Sequence, residues 1–130
     1  MEMVRGENTM SELAGCRVLV LDDEILIALM VSDHVEELGC ELVGPVSTVA
    51  DALELVTGDA IQVALIDVKV GAEASFPVAD TLIERGIPFA FMTAYPESDI
   101  DRLYPGVTVI TKPFHIGYLR GVLVDLVSRA

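Results

Sequence analysis

Short apolar segments rich in β-branched residues alternate along this chain with longer segments of helical periodicity. The apolar segments have the continuous hydrophobic character of strands buried on both faces, and they cover residues 17–21, 41–47, 63–68, 87–95 (including the loop that follows) and 107–111. The segments after them predict helices at residues 24–38, 48–58, 77–85, 97–104 and 115–129. This alternation predicts an α/β protein whose five-stranded parallel sheet carries helices on both faces.

Several local signals refine this prediction. Pro45 lacks a backbone N–H, which places the second strand at a sheet edge or a strand end. Thr48 is a helix N-cap residue. Residues 1–16 are largely polar and have no period, so we expect a flexible leader before a single domain at 17–130.

The fourth predicted helix is the weakest element. It holds at most two turns, and its apolar anchors are Ile100, Leu103 and Tyr104. A helix this short gains little from intrinsic propensity. We therefore predict that it is short or irregular.

The first predicted helix has apolar residues on two faces. One set recurs at helical spacing and predicts the core-facing side: Ile27, Met30, Val31, Val35 and Leu38. The second set comprises Ile25, Ala28 and Leu29. It indicates either an exposed surface that a partner helix could contact or a helix that is buried unusually deeply.

Composition narrows the possible functions. The chain has 130 residues, 52% of them hydrophobic, which is enough for a real core. Its net charge is −13, with 8 Lys and Arg against 21 Asp and Glu, which argues against nucleic acid or an anionic membrane as partner. No segment is long enough to span a membrane and no signal peptide is evident, so we predict a cytoplasmic protein. Cys16 and Cys40 lack CxxC spacing and are expected to be thiols.

Polar residues follow or end four of the predicted strands. Asp22 and Asp23 follow the first strand, while Asp67, Thr93 and Lys112 end the third, fourth and fifth. The carboxyl ends of parallel strands meet at one edge of a sheet, where ligands bind. We therefore expect these five side chains to converge.

These residue types predict a particular chemistry. Three carboxylates held together repel one another and need a cation, and oxygen ligands favour Mg²⁺ or Mn²⁺. A carboxylate can also act as a covalent nucleophile and form an aspartyl-phosphate. The hydroxyl of Thr93 and the ammonium of Lys112 are donors that suit a phosphoryl group carried on Asp67.

With these residues in place, the chain resembles the receiver domain of two-component response regulators. The resemblance covers residues 17–129, through the segments VLVLDDE, ALIDV, PFAFMTAY and TKPF. It implies a flavodoxin-like, doubly wound sheet of strand order 2-1-3-4-5. The string PFAFMTAY, a weak helix and TKPF are similar to the single-domain "FAT GUY" receivers of alphaproteobacteria.

The resemblance also implies roles for individual residues. Asp67 would accept a phosphoryl group from a histidine kinase or a phosphotransfer protein. Asp23, Asp67 and the backbone carbonyl of Lys69 would bind Mg²⁺ directly, and Asp22 would act through metal-bound water. Thr93 and Lys112 would contact the phosphoryl oxygens.

Three positions depart from the pattern of the resembled families. Val109 stands where typical receivers carry an aromatic switch residue, and Ala94 replaces the Gly of the "FAT GUY" motif. Tyr95 matches that motif and is a candidate substitute aromatic. Lys69, two residues after the acceptor, is read either as a solvated lysine or as a residue that affects phosphate lifetime.

Three functional classes remain open on the sequence. A receiver would be a signalling protein rather than an enzyme, acting through a downstream protein target or as a phosphate sink. A small Mg²⁺-dependent aspartyl-phosphate phosphohydrolase is the alternative, although Asp22 and Asp23 do not form its expected DxD motif. A flavodoxin-like cofactor carrier is disfavoured, because acids after the first strand would repel a flavin phosphate.

Overall fold

A computed structural model describes residues 12–58, 60–94 and 98–129, with only the backbone of 98 and 99. Its strands are β1 (Arg17–Leu21), β2 (Glu41–Val46), β3 (Val63–Asp67), β4 (Lys69–Val70), β5 (Glu73–Ala74), β6 (Phe89–Thr93) and β7 (Thr108–Thr111). Its helices are α1 (Ile25–Glu37), α2 (Val49–Gly58), α3 (Phe76–Glu84), α4 (Ser98–Leu103) and α5 (Ile116–Arg129). Apart from the short strands β4 and β5, strands and helices alternate along the described residues as the sequence predicts.

The main sheet has the order β2-β1-β3-β6-β7, and every neighbouring pair is parallel. Counting only these strands, the order is 2-1-3-4-5, which confirms the flavodoxin-like prediction. Strand β2 lies at an edge, as Pro45 predicts. The N-cap prediction for Thr48 is also confirmed, because its Oγ1 accepts a hydrogen bond of 3.1 Å from the N–H of Asp51.

The end of β2 is irregular. Its register with β1 shifts between Leu19 and Leu21. Gly44 has a φ of +104°, and a Cβ there would meet the amide nitrogen of Val46 at 2.9 Å. A side chain at this position would therefore be both strained and crowded.

The core has two layers, one on each face of the sheet. Strand β3 shows the division, because Val63 and Leu65 join one buried cluster while Ala64 and Ile66 join the other. Helices α1 and α5 complete the first cluster, and α2, α3 and α4 complete the second. Since β3 is covered on both faces, its continuous apolar run from Val63 to Ile66 is explained.

The exposed face of α1 differs in part from its prediction. Leu26 and Leu29 are 77% and 54% exposed and Ile25 is 74% exposed, but Ala28 is buried. Ala28 precedes the buried Val31 and Val35 by three and seven residues and therefore lies on their side of the helix, whereas Leu26 precedes the exposed Leu29 by three. The exposed apolar patch of α1 is therefore Ile25, Leu26 and Leu29.

Residues before β1 also differ from expectation. Within the predicted leader, Leu13 is fully buried and Cys16 is 3% exposed, both in the core layer of α1 and α5. The N–H of Gly15 donates to the carbonyl of Gly39 at 2.9 Å. Packing thus begins before Arg17, and residues 1–11 lie outside the described residues.

The loop predicted after the third strand contains a small hairpin. Strands β4 and β5 pair antiparallel, with Lys69 opposite Ala74 and Val70 opposite Glu73. Val70 is buried in the core layer of α2, α3 and α4. Strands of two residues have no hydrophobic period, so the sequence pattern does not detect them.

Helix α4 is short, as predicted, but it is better anchored than its sequence suggests. Ile100 is 1% exposed, whereas Leu103 is 56% exposed. The ring of Tyr104, just after the helix, lies 5.3 Å from that of Phe91 and 5.4 Å from that of Phe76. Its hydroxyl donates to Asp80 at 2.8 Å, so this helix end contacts both β6 and α3.

Across the described residues, helix length and apolar content fall short of what crossing a lipid bilayer would require.

Candidate functional site

Four polar side chains are buried together where the strands of the main sheet end. Asp22 follows β1, Asp67 and Thr93 are the last residues of β3 and β6, and Lys112 follows β7. Their exposed fractions are 2%, 7%, 6% and 7%. The structure therefore places these four predicted site residues at one edge of the sheet.

Lys112 joins the acids into one cluster. Its Nζ donates to Oδ2 of Asp22 at 3.0 Å and to Oδ2 of Asp67 at 3.1 Å. It also donates to Oε1 of Glu24 at 2.9 Å. Because three carboxylates surround one ammonium, the cluster keeps two formal negative charges.

This environment shifts the pKa of Asp67. Burial, the largest cause, and the negative charge of Asp22 raise the pKa of the Asp67 carboxyl to about 6, although Lys112 opposes the shift. For Lys112, burial alone would lower the pKa, but hydrogen bonds to Glu24, Asp22 and Asp67 outweigh it and raise the pKa above its usual value. The lysine thus stays charged, while Asp67 carries a carboxylate that the fold disfavours.

Two hydrogen bonds that involve backbone N–H groups hold the loops around the cluster in place. Oδ1 of Asp22 accepts from the N–H of Glu24 at 2.9 Å, which closes the turn into α1. The N–H of Lys112 donates to the carbonyl of Thr93 at 2.8 Å, which holds the ends of β6 and β7 together. The sheet therefore fixes the backbone from which the side chains of the site project.

Asp23 occupies a different place from Asp22. It is exposed, and its Oδ2 accepts a hydrogen bond of 2.7 Å from the N–H of Gly71, in the turn between β4 and β5. The acid after β1 is thereby connected to the hairpin after β3. Lys69, at the start of that hairpin, is also exposed.

An open cleft of about 350 Å³ brings these residues to one surface. It is lined by Asp23, Glu24, Asp67, Val68, Lys69, Gly71, Thr93, Ala94 and Lys112. Asp22 is buried and does not line it. A small anionic group bound at Asp67 would thus be within the same cleft as the side chains of Thr93 and Lys112.

The donor set fits a hard divalent cation. Carboxylate oxygens of Asp22, Glu24 and Asp67 lie within 4.8 Å of one another. Oxygen ligands suit Mg²⁺ or Mn²⁺. The raised pKa of Asp67 indicates that its negative charge is under-compensated, which a bound cation would correct.

Sequence reasoning missed Glu24. The only signal was its position directly after the two aspartates, in a segment already read as helix. Its contact with Lys112 depends on how α1 leaves β1, and this is a property of the fold. Val109, at the position of the expected aromatic residue, is half-buried in β7, and Tyr95 lies outside the described residues.

Comparison with known proteins gives a consistent group of relatives, although no family model matches the chain. The transcriptional regulatory protein PdtaR of Mycobacterium tuberculosis is 28% identical over 117 residues, which are 87% of this chain and 57% of PdtaR. The chain therefore spans little more than half the length of this curated relative.

Solved structures give stronger likeness. The solution structure of SdrG from Sphingomonas melonis Fr1 is 37% identical, with a TM-score of 0.74, and the match covers 88% of this chain and 97% of SdrG. The response regulator PhyR from Brucella abortus is 26% identical, with a TM-score of 0.81 over 96% of this chain and 53% of PhyR.

Proposed function

The chain belongs to the response regulator receiver domains, and on that premise we propose that Asp67 accepts a phosphoryl group in a Mg²⁺-dependent reaction. The donor would be the phosphohistidine of a histidine kinase or phosphotransfer protein. A carboxylate oxygen of Asp67 attacks phosphorus, the bond from phosphorus to the histidine nitrogen breaks, and an aspartyl-phosphate forms. A cytoplasmic location, predicted from the sequence, accompanies this proposal.

One observation carries the proposal: Lys112 contacts the buried acceptor Asp67 and the buried acid Asp22 at the ends of three strands. Phosphoryl transfer needs positioning and charge neutralisation more than acid–base chemistry. Lys112 is already charged and within hydrogen-bonding distance of the acceptor. The hydroxyl of Thr93, at the end of β6, would supply a second donor to the phosphoryl oxygens.

The metal ligands of the proposal are those that the resemblance implies. Asp23, Asp67 and Lys69 line the cleft, and Asp22, which is buried, contacts Lys112 of the same cleft. A bound Mg²⁺ would neutralise charge on the acids and on the incoming phosphoryl group. The hydrogen bond from Gly71 to Asp23 already holds the hairpin with Lys69 against this side of the cleft.

The exposed apolar patch of α1 is the surface that we propose for the phosphodonor protein. It begins one residue after Glu24, so it borders the cleft. Apolar side chains exposed this close to a reactive site mark an interaction surface rather than a scattered set. The output would then follow through a downstream protein target or through removal of phosphate from a shared donor.

The test is phosphorylation by a small donor. Incubation with acetyl phosphate and Mg²⁺ is expected to add the mass of one phosphoryl group to the native chain, and chelation of Mg²⁺ is expected to prevent it. Asp67→Asn is the matched control, because it keeps size and hydrogen bonding but loses the nucleophile. An equal mass increase in Asp67→Asn would contradict the proposal. Continuous release of phosphate from unrelated phosphomonoesters would instead support the phosphohydrolase alternative.

A further inference from the structure

A pair of cysteines lies at the opposite end of the sheet from the acidic cluster. Cys16 immediately precedes β1, and Cys40 immediately precedes β2. Asp22 is six residues beyond Cys16, which at the rise of an extended strand is about 20 Å. No role in the proposed phosphoryl transfer involves these thiols.

The strand register places the two cysteines side by side. Arg17 pairs with Glu41 and Val18 with Leu42, so the next position back sets Cys16 opposite Cys40. The N–H of Glu41 donates to the carbonyl of Cys16 at 2.8 Å, which continues the ladder to this point. Neighbouring strands lie about 4.8 Å apart, within the Cα separation that a disulfide spans.

Both side chains point to the same face of the sheet. Cys16 and Cys40 belong to the same core cluster as Val18 and Val20, which alternate with the residues of the other layer. Both are free thiols, 3% and 7% exposed. Since β2 is an edge strand, the pair lies at the margin of the core rather than at its centre.

Each thiol also affects the pKa of the other. The hydrogen bond from Cys40 is the largest influence on Cys16 and lowers its pKa, while burial opposes this. The same hydrogen bond, followed by burial and the charge of Cys16, raises the pKa of Cys40. In this pair Cys16 is therefore the thiol that loses its proton more easily, and Cys40 is the resolving thiol beside it.

We propose that Cys16 and Cys40 form a reversible oxidative modification site, at which a peroxide generates an intrachain disulfide between β1 and β2. The Cys16 thiolate attacks one oxygen of hydrogen peroxide, the O–O bond breaks, and a sulfenic acid forms with release of water after proton uptake. The Cys40 sulfur then attacks the Cys16 sulfur, a second water leaves, and the S–S bond forms. Overall, two thiols lose two electrons and two protons, and one peroxide becomes two waters.

The disulfide between Cys16 and Cys40 would constrain the part of the fold that contains β1 and α1. It would close a loop over residues 17–39, which contain β1, α1 and the three acids that follow β1. Closing a loop of this length restricts the unfolded chain more than the folded one. We therefore expect oxidation to raise the melting temperature by about 10 °C.

The experiment oxidises the native chain with hydrogen peroxide and then blocks the remaining thiols. The expected product is a monomer that has lost two hydrogens and whose tryptic digest links peptide 6–17 to peptide 18–69. The higher melting temperature should return to its starting value with dithiothreitol. Unreacted thiols, oxygen adducts without a link, a disulfide-linked dimer or an unchanged melting temperature would each overturn the proposal.

Two single variants serve as controls. Cys16→Ala and Cys40→Ala each retain one thiol, so peroxide must not remove two hydrogens from either monomer. Because a cavity could destabilise these variants, the deciding measurement is the one on the native chain. Phosphorylation by acetyl phosphate is measured separately on the reduced protein, so failure of the disulfide leaves the proposed receiver function untouched.

Discussion

The ammonium of Lys112 lies 3.0 Å from Oδ2 of Asp22, and the two side chains are 4% and 0% exposed. A buried charge that loses its partner is left without compensation, at a cost of about 3–5 kcal/mol. In this cluster the loss would extend to Asp67, which shares the same ammonium. Much of the stability of this sheet edge therefore depends on one lysine.

The first prediction concerns this lysine. Lys112→Met keeps the length of the side chain but removes the charge, so we expect the free energy of unfolding without metal to fall by about 3 kcal/mol. Excess Mg²⁺ should restore more stability to Lys112→Met than it adds to the native chain, because the cation replaces the missing positive charge. Urea unfolding with and without Mg²⁺ measures both effects. Equal stabilisation of both proteins would contradict this account.

The second prediction concerns pH. In the unfolded chain the pKa of Asp67 has its ordinary value of 3.8, whereas in the folded protein it is about 6. The folded protein therefore keeps the Asp67 proton to a higher pH than the unfolded chain does. Without metal, the unfolding free energy should fall by about 3 kcal/mol as the pH rises from about 4 to 6. Below about pH 4, Asp67 is protonated in both the folded and the unfolded state, so this loss of unfolding free energy is absent.

The measurement is the difference in unfolding free energy between the native chain and Asp67→Asn, since other carboxyls titrate in the same range. We expect the unfolding free energy of Asp67→Asn, relative to that of the native chain, to rise between pH 4 and 7. Asp33→Asn, at an exposed carboxyl of α1, is the control and should follow the native curve. A difference that does not vary with pH would count against the buried, under-compensated carboxylate.

The third prediction separates Asp23 from Glu24 as a metal ligand. Asp23→Asn keeps an oxygen acceptor for the Gly71 amide but loses its charge, so we expect Mg²⁺ affinity to fall at least about tenfold. The Glu24 side chain is exposed and its carboxylate is already paired with Lys112. Glu24→Gln should therefore change the Mg²⁺ affinity by less than about threefold. Titration calorimetry with Mg²⁺ compares them. The reverse order would make Glu24 the ligand and Asp23 a residue that positions the hairpin.

The fourth prediction tests the exposed apolar patch of α1. Leu29→Asp should lower kcat/KM for transfer from a phosphohistidine protein by about tenfold or more, because a charge is placed where an apolar partner surface would pack. Phosphorylation by acetyl phosphate, which needs no protein contact, should be unchanged. Ile83→Asp on α3 is the matched control, since Ile83 and Leu29 are both 54% exposed. Equal losses in the two variants would reject α1 as the docking surface.

The fifth prediction concerns the end of α4. Tyr104→Phe removes the hydrogen bond to Asp80 but retains the ring contacts with Phe76 and Phe91, so we expect a loss of about 1 kcal/mol. Tyr104→Ala should cost clearly more and should speed amide exchange in α4. Urea unfolding and hydrogen exchange measure these effects. If exchange in α4 is unaffected by the alanine, the aromatic contacts do not anchor the helix.

Much of the site could be predicted because parallel strands impose it. Residues that end successive strands of such a sheet must lie at one edge, so the positions of Asp22, Asp67, Thr93 and Lys112 follow from recognising the strands. Recognising the strands does not predict which carboxylate contacts which hydrogen-bond donor. That depends on the turn into α1, which brings Glu24 to Lys112 and leaves Asp23 facing Gly71.

The remaining differences have similar physical causes. Leu13 is an isolated apolar residue in a polar segment, and only the completed core shows that it has a place to pack. Ala28 is buried rather than exposed because it lies one and two turns before Val31 and Val35, on the side of the helix that packs against the sheet. The hairpin β4–β5 escaped detection because each of its strands has only two residues, which is too short for an alternating pattern to be recognised.

The irregular end of β2 has a consequence for how copies of this protein behave at high concentration. An outer strand offers free N–H and C=O groups to any other strand, and a chain this rich in apolar residues is exposed to edge-to-edge aggregation. Pro45 removes one donor from that edge, and the register shift around Gly44 interrupts the regular course of the strand. At the opposite edge, β7 is only four residues long. Both outer strands of the sheet are thus poor templates for the addition of a strand from another molecule, which disfavours edge-to-edge association of copies of this chain.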